Sequence, residues 1–263
     1  MPFLTNAGTN LRYDRAGTGP TVLLVHGWTG NRTFWDAQVQ ALRDRFTLIT
    51  VDLRGHGESS HPQKGYTVGT MVGDLEALVR ALRVPRIAVV GWSMGGMLAL
   101  ALAQRLGERM SALGLVSTSA GGFLDAKNPN AIEKKQAEEM RSGVTKDFRE
   151  FARGFAARLF KDGTAAPLYG WAVREIQKTP PHVAAACLEA MLGFDVRKQL
   201  AKLSVPTTVL HGRHDELLPL AHGEYLAKHI KGAKLRVFEG SGHSPHLEEP
   251  EAFNAALAEM LAG

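Results

Sequence analysis

The sequence predicts an α/β fold in which helices cover both faces of a mostly parallel central β-sheet and a helical insertion interrupts the alternation. First, short β-rich runs alternate with helical patterns along most of the chain. Second, the runs are almost continuously apolar, which is typical of parallel strands buried on both faces. Third, the alternation stops between residues 119 and 203, where only helical patterns remain. This order of elements indicates one α/β domain with an inserted helical unit.

The predicted strands are short runs, most of which end in Gly, Asp or Ser, at residues 21–27, 46–52, 86–91, 112–117, 207–212 and 234–240. The predicted helices between them cover residues 33–43, 67–83, 94–106, 217–231 and 248–261. Residues 3–14 are expected to form a leading antiparallel hairpin.

The insertion contains apolar residues at helical spacing. Phe148, Phe151 and Phe155 share one face of a predicted helix, for which Thr145 is the expected N-cap. A second helix is predicted from the prolines after Thr179 to Gly193. We therefore expect residues 1–118 and 204–263 to form the core domain and residues 119–203 to form a cap over the carboxyl ends of the strands, where open α/β sheets bind their ligands.

The composition is that of an ordinary water-soluble protein, with 44% hydrophobic and 22% charged residues. A single cysteine, Cys187, excludes an intramolecular disulfide and a cysteine-built metal site. No run of about 18 apolar residues predicts a membrane span, and the first residues do not resemble a signal peptide. We therefore expect a cytoplasmic protein without membrane partners. Because its net charge of +5 is modest and no nucleic-acid motif is present, we expect no nucleic-acid partner either.

The segment Gly91-Trp92-Ser93-Met94-Gly95 lies between a predicted strand and a predicted helix. Glycine inside a regular element costs roughly 0.5–1 kcal/mol relative to alanine, so something must require the two missing side chains. A sharp strand–turn–helix explains them, because residues two before and two after the serine nearly touch. The pattern is that of a nucleophile elbow, which predicts Ser93 as a catalytic nucleophile.

A serine nucleophile requires a base, and the base requires an acid that orients it. Asp215 follows one predicted strand and His243 follows the next, in the chain order expected for this elbow. Both lie at the edge of the sheet that carries Ser93, so the three side chains are expected to converge. His243 is the predicted base and Asp215 the predicted acid.

Other residues compete for these roles. His214 and His246 are neighbours of the predicted pair, but His243 occupies the turn after a Gly-Ser-Gly segment and is favoured. Asp125, at the start of the insertion, is the alternative acid. Structural roles are expected for four further polar residues near strand ends: His26 as a loop brace, and Asp52, Arg54 and His56 in a turn.

An oxyanion hole requires two backbone donors. The N–H of Met94, directly after the serine, is one candidate. The loop after the first core strand supplies the other, where Gly27 permits close approach and the N–H of Trp28 is the candidate. The side chains of Trp28 and Trp92 are expected to line an apolar substrate pocket.

Five segments, "HGWTGNRTFW", "VDLRGHGESS", "GWSMGGMLA", "GRHDELLP" and "GSGHSPHLEEPEAF", resemble the α/β-hydrolase superfamily in order and spacing. Cap-bearing serine esterases are the most similar kind. The resemblance extends over nearly the whole chain and implies the triad Ser93, Asp215 and His243, a helical cap, no cofactor or metal, and hydrolysis through an acyl-enzyme. A serine at the elbow argues against haloalkane dehalogenases and epoxide hydrolases, which have aspartate, and against dienelactone hydrolases, which have cysteine.

Within this superfamily three activities stay open: a carboxylesterase for small to medium acyl esters, an enol-lactone hydrolase similar to 3-oxoadipate enol-lactonase, and a pimeloyl-acyl-carrier methyl ester esterase. The last has an acidic acyl carrier protein as partner. Residues 122–203 hold 14 Lys or Arg and 10 Asp or Glu, which suits an acidic partner or an anionic substrate. A small-molecule receptor without catalysis is the alternative from a different class, and turnover of a chromogenic ester would exclude it.

Overall fold

The structure is a computed structural model that describes residues 2–263. Its strands are β1 (Phe3–Asn6), β2 (Thr9–Ala16), β3 (Thr21–Val25), β4 (Thr47–Val51), β5 (Ile87–Trp92), β6 (Met110–Val116), β7 (Thr207–Gly212) and β8 (Lys234–Phe238). Its α-helices are α1 (Asp36–Leu42), α2 (Val68–Ala81), α3 (Met94–Leu106), α4 (Lys134–Lys146), α5 (Phe148–Ala157), α6 (Tyr169–Ile176), α7 (Pro181–Leu192), α8 (Ala221–His229), α9 (Pro245–Glu248) and α10 (Pro250–Ala262).

The strands form one eight-stranded sheet in the order β1-β2-β4-β3-β5-β6-β7-β8. The strands β1 and β2 form the predicted leading hairpin, and β2 pairs antiparallel with β4. All other pairings are parallel. The predicted α/β fold with a mostly parallel sheet is therefore confirmed.

The register aligns the carboxyl ends of the central strands. Val25 of β3 is paired with Gly91 of β5, and Trp92 of β5 is paired with Val116 of β6. Val116 in turn is paired with Leu210 of β7. The loops that follow these strands consequently meet at one edge of the sheet, and they carry the predicted functional residues.

The insertion between β6 and β7 holds α4 to α7, and within it an isolated β-bridge joins Gly121 to Asp195. Beside this bridge, the N–H of Gly122 donates to the carbonyl of Phe194 at 2.8 Å and the N–H of Val196 donates to that of Ala120 at 2.9 Å. The two ends of the insertion are thus tied together at a narrow stem above the sheet.

The predicted N-cap of the helix that carries Phe148, Phe151 and Phe155 is wrong. Thr145 lies in the last turn of α4, where its hydroxyl donates to the carbonyl of Arg141, and Asp147 caps α5 by accepting from the N–H of Glu150 at 3.0 Å. The aspartate can do so because its extended backbone separates the two helices. The last helix begins at Pro250, after the separate short helix α9. In the described part of the chain, no helix is long and apolar enough to cross a membrane.

Candidate active site

Ser93 occupies the turn between β5 and α3 in a strained backbone conformation. Its φ is 55° and its ψ is −119°, a region that costs a non-glycine residue about 1–3 kcal/mol. The turn is held by main-chain groups: the Ser93 N–H donates to Val116 at 2.9 Å, and the Ser93 carbonyl accepts from Thr118 Oγ1 at 2.7 Å. The Ser93 hydroxyl has no partner within residues 2–263 and is free to meet another molecule.

The two glycines of the turn are required by close backbone approach. A Cβ on Gly91 would lie 2.6 Å from the nitrogen of Gly96, and a Cβ on Gly95 would lie 2.5 Å from the carbonyl oxygen of His26. Both distances are far inside van der Waals contact. The structure thus supports the steric explanation of the G-x-S-x-G pattern: helix α3 packs directly on β5 and on the end of β3.

Replacing Gly95 by valine is therefore expected to damage folding as well as activity. The branched side chain would meet backbone atoms of Val25 and His26, which cannot move without displacing β3, so we expect a loss of about 3 kcal/mol or more in unfolding free energy. Urea denaturation measures this. Gly154→Val is the matched control, because a Cβ on Gly154 has no neighbour within 4 Å. Equal stability of the two variants would contradict the close approach at Gly95.

His243 and Asp215 form a buried pair at the same edge of the sheet. Nδ1 of His243 lies 2.8 Å from Oδ2 of Asp215, and the two residues are 1% and 5% exposed. A carboxylate only accepts hydrogen bonds, so Nδ1 carries the proton and Nε2 is left as an acceptor. The other Asp215 oxygen accepts the N–H groups of Leu217 and Leu218 at 2.9 and 2.8 Å, which fixes the carboxylate plane.

The carboxyl group of Asp215 is held in its ionised form. Burial alone would raise its pKa, but the charge of His243 and hydrogen bonds from His211 and His243 lower the pKa well below its usual value. An aspartate in this state orients an imidazole and stabilises it when it becomes protonated.

The loop after β3 lies directly beside Ser93. A Cβ on Gly27 would lie 3.1 Å from Cβ of Ser93 and 3.0 Å from the Trp92 ring. Met94 opens α3, so its N–H has no acceptor within the helix. Gly27, the residue before Trp28, and Met94 therefore lie beside the serine on two different elements. The oxyanion-hole role of the Trp28 and Met94 N–H groups stays a prediction.

A cavity of about 80 Å³ lies above Ser93 and His243, which both line it. Its other walls are mostly apolar side chains from both the core and the insertion, and they include Trp28, Met97, Phe155, Leu188 and Met191. The Trp28 indole N–H donates to the carbonyl of Ala184 at 3.0 Å, and its ring packs edge-on against Phe155. Trp28 thus joins the core to the insertion at the cavity wall.

The structure contradicts the prediction that Trp92 also lines this pocket. The Trp92 side chain is 2% exposed and lies beneath the cavity, stacked on Phe34 at 5.3 Å between ring centroids. Its indole N–H donates to the carbonyl of His243 at 2.8 Å. The strand alternation sends the residue before Ser93 into the core, and there it supports the loop of His243.

The competing polar residues have structural roles in the described chain. His26 accepts from the N–H of Leu53 at 3.0 Å, and its burial lowers its pKa to about 4, so it braces its loop as a neutral ring. Asp52 accepts from the N–H groups of Arg32 and Glu58, at 2.7 and 2.8 Å. Asp125, the alternative acid, is paired with Arg197 at 2.7 Å.

His246, one of the two competing histidines, is fully buried among aromatic rings. It lies 4.6 Å from Trp35 and 4.9 Å from Trp92 between ring centroids, and neither ring nitrogen has a hydrogen-bond partner in residues 2–263. Burial, together with the charge of His243, lowers its pKa to about 3. It is a neutral packing residue.

The pH dependence of stability is expected to report this burial. A histidine with a pKa near 6.5 when unfolded and about 3 when folded contributes stability that is complete above pH 6.5 and is lost as the pH falls toward 3. Between pH 7 and 5 the loss is about 2 kcal/mol. His246→Phe should flatten the acid side of the stability curve by this amount, measured by urea unfolding at several pH values. An unchanged slope would mean that His246 accepts a proton in the folded state.

Three residues that support the predicted acid or the loop of the predicted base were not identified from the sequence. His211 Nε2 lies 2.7 Å from the carbonyl of Leu218, with which it forms a hydrogen bond, and 3.2 Å from Oδ2 of Asp215, so this buried ring packs against the acid. Glu248 accepts the N–H of Gly242 at 2.8 Å and that of Lys161 at 2.7 Å, which ties the His243 loop to the insertion. Glu249 accepts the N–H of Gly240 at 3.0 Å. Glu248 and Glu249 are adjacent acids shortly after the His243 turn, and this pair was the sequence signal that could have identified them.

Within residues 2–263 no group of three or more His, Cys, Asp or Glu side chains is placed to hold a metal ion.

Comparisons with known proteins agree with this architecture. A sequence model of the α/β-hydrolase fold matches residues 20–250. The chain is 29% identical over 249 residues to a pimeloyl-[acyl-carrier protein] methyl ester esterase of Nitrosomonas europaea, covering 93% of this chain and 96% of that one. It is 28% identical over 265 residues to 3-oxoadipate enol-lactonase 2 of Acinetobacter baylyi, covering 98% and 95%. An esterase structure from Exiguobacterium antarcticum superposes with a TM-score of 0.94 at 28% identity, covering 99% of both chains.

Proposed function

The chain belongs to the α/β-hydrolase family, and from this premise we propose that it is a serine hydrolase that cleaves carboxylic esters, with small to medium acyl groups, through an acyl-enzyme. The observation that carries the proposal is the arrangement at the cavity floor. A strained, unpartnered Ser93 shares the cavity with His243, whose Nδ1 is held 2.8 Å from the buried Asp215.

In this mechanism Ser93 Oγ attacks the ester carbonyl, and Nε2 of His243 takes its proton. The imidazolium that forms is stabilised by the ionised Asp215. The oxyanion of the tetrahedral intermediate accepts hydrogen bonds from the N–H groups of Trp28 and Met94, with the N-terminus of α3 adding its positive partial charge. His243 then returns the proton to the leaving alcohol, and water attacks the acyl-enzyme by the same route.

We also propose that residues 119–203 act as a cap that shapes the substrate site, while residues 1–118 and 204–263 form the catalytic core. The support is that insertion residues such as Phe155, Leu188 and Met191 form one side of the cavity over Ser93. The cap is fastened by the Trp28 bond to Ala184 and by Asn31 Nδ2, which donates to Glu175 at 2.8 Å. Apolar walls with few polar groups suit an acyl chain.

The experiment is a panel of p-nitrophenyl esters, methyl esters and lactones, tested on the wild type and on Ser93→Ala. Turnover of a short-chain p-nitrophenyl ester that is lost in the variant is the expected result. If no ester or lactone is turned over, the proposal fails and a binding function without catalysis is the remaining interpretation.

The names of two relatives suggest two alternative functions, an esterase for carrier-bound methyl esters and a lactone hydrolase. A carrier protein is acidic, and its attraction to a basic cap falls with salt, since the Debye length is about 8 Å at physiological ionic strength. Several cap bases are already neutralised, for example Arg141 by Glu189 and Arg153 by Glu150. We therefore expect free esters to be turned over with little salt dependence, and a steep, carrier-only dependence would favour the carrier esterase.

A further inference from the structure

The cavity over Ser93 contains one cation and no acid among its lining residues. Its polar residues are Ser93, Gln136, Arg158 and His243, and all the others are apolar. Ser93 and His243 belong to the proposed chemistry, which leaves Arg158 as the one charged group free to recognise a substrate. A guanidinium in an apolar wall is unfavourable unless something offsets its charge.

The contacts of Arg158 do not neutralise it. The side chain is half-buried, and its Nη2 donates at 2.7 Å to the main-chain carbonyl of Glu216, the residue after Asp215. Within residues 2–263 it forms no ion pair. By contrast, Arg153 of α5, the helix that ends directly before Arg158, is paired with Glu150 at 2.9 Å. A guanidinium has five N–H donors, so Arg158 is anchored by one bond and keeps the others available.

We propose that Arg158 is a carboxylate-binding subsite, so that the preferred substrate is an ester or lactone that carries a carboxylate at a distance from the bond that is cleaved. This inference rests on the proposed function and adds a substrate class to it. The planar guanidinium fork matches a carboxylate in a bidentate pair. A single positive charge suits a singly charged carboxylate better than a phosphate monoester, which carries nearly two negative charges at neutral pH.

The apolar lining of the cavity explains why we expect the carboxylate of the substrate to lie at a distance from its ester bond. Methionine, leucine and phenylalanine side chains share the cavity with Ser93 and Arg158, so the substrate needs an apolar linker of suitable length between its ester and its carboxylate. The test substrates are therefore monomethyl esters of unbranched dicarboxylic acids from succinate to suberate. Each is compared with the methyl ester of the monocarboxylic acid of equal length.

For the wild type we expect kcat/KM to favour the anionic ester over its neutral partner by roughly tenfold to a hundredfold at the best length. In Arg158→Gln that ratio should fall at least about tenfold, with the change mainly in KM, because the contact is made in the bound substrate as well as the transition state. Arg158→Lys should keep part of the preference. Arg153→Gln removes an exposed cation from α5, the helix directly before Arg158, and should leave the ratio unchanged.

The two proposals fail in different ways. If the wild type hydrolyses neutral esters through Ser93 without preferring any anionic one, or if Arg153→Gln lowers the ratio as much as Arg158→Gln does, the carboxylate subsite is overturned and the serine hydrolase stands. If no ester is hydrolysed, or if Ser93→Ala hydrolyses them normally, the proposed function itself has failed.

Discussion

Replacing Ser93 by alanine is expected to reduce kcat for ester hydrolysis by about 10⁴–10⁶ while leaving the fold intact. Without the hydroxyl no acyl-enzyme can form, whereas the cavity and the two backbone donors remain. The fold should persist because the turn is shaped by the glycines and by main-chain hydrogen bonds, and the Ser93 hydroxyl has no partner to lose. The melting temperature should change by less than about 2 °C.

Ser117 offers a matched control for this variant. It follows the neighbouring strand β6, also has a positive φ, of 42°, and its buried hydroxyl has no hydrogen-bond partner among the described residues. Ser117→Ala thus removes the same atom from a similar backbone position without touching the cavity. Purified, folded Ser93→Ala protein with near-normal turnover would exclude Ser93 as the nucleophile.

Replacing Asp215 by asparagine is expected to lower kcat by about 10⁴, since the amide would hold His243 in the wrong tautomer. The side-chain oxygen of asparagine can still accept the N–H groups of Leu217 and Leu218, so the local turn should survive. The variant should be less stable than the wild type at neutral pH, because it loses the charge interaction that lowers the pKa of Asp215.

Asp125→Asn is the comparison for the acid. That carboxylate is 42% exposed and is paired with Arg197, so its loss is expected to change kcat less than about twofold. Steady-state kinetics of both variants with one p-nitrophenyl ester decides between them. The opposite order of effects would move the acid to the start of the insertion.

The sheet and the position of Ser93 could be predicted because their signals are local. Buried parallel strands are apolar along their whole length, and a glycine on each side of a serine at a strand end has few explanations other than a tight turn. The spacing of Asp215 and His243 after consecutive strands was sufficient to place both at one edge. Each of these inferences uses a short stretch of sequence and a general rule.

The roles of Trp92 and Arg158 could not be predicted because they depend on contacts between distant segments. Trp92 was expected in the pocket, but its indole bonds to His243, which is 151 positions further along the chain. Arg158 directly follows a helix that carries two other arginines, and only the structure distinguishes it from Arg153, which is neutralised by a neighbour. In the insertion, helix starts were predicted from single polar residues. Asp147, and not Thr145, is the N-cap of α5, because Asp147 has the non-helical backbone conformation that this role requires.

Covalent labelling reveals whether Ser93 is the nucleophile of this protein. The protein is incubated with a fluorophosphonate, which reacts with activated serines, then digested and examined by peptide mass spectrometry. We expect one adduct per chain, on Ser93, with matching loss of esterase activity, strongly slowed labelling in His243→Ala and no adduct in Ser93→Ala. An adduct on another residue, or an active protein that is never labelled, would contradict this expectation.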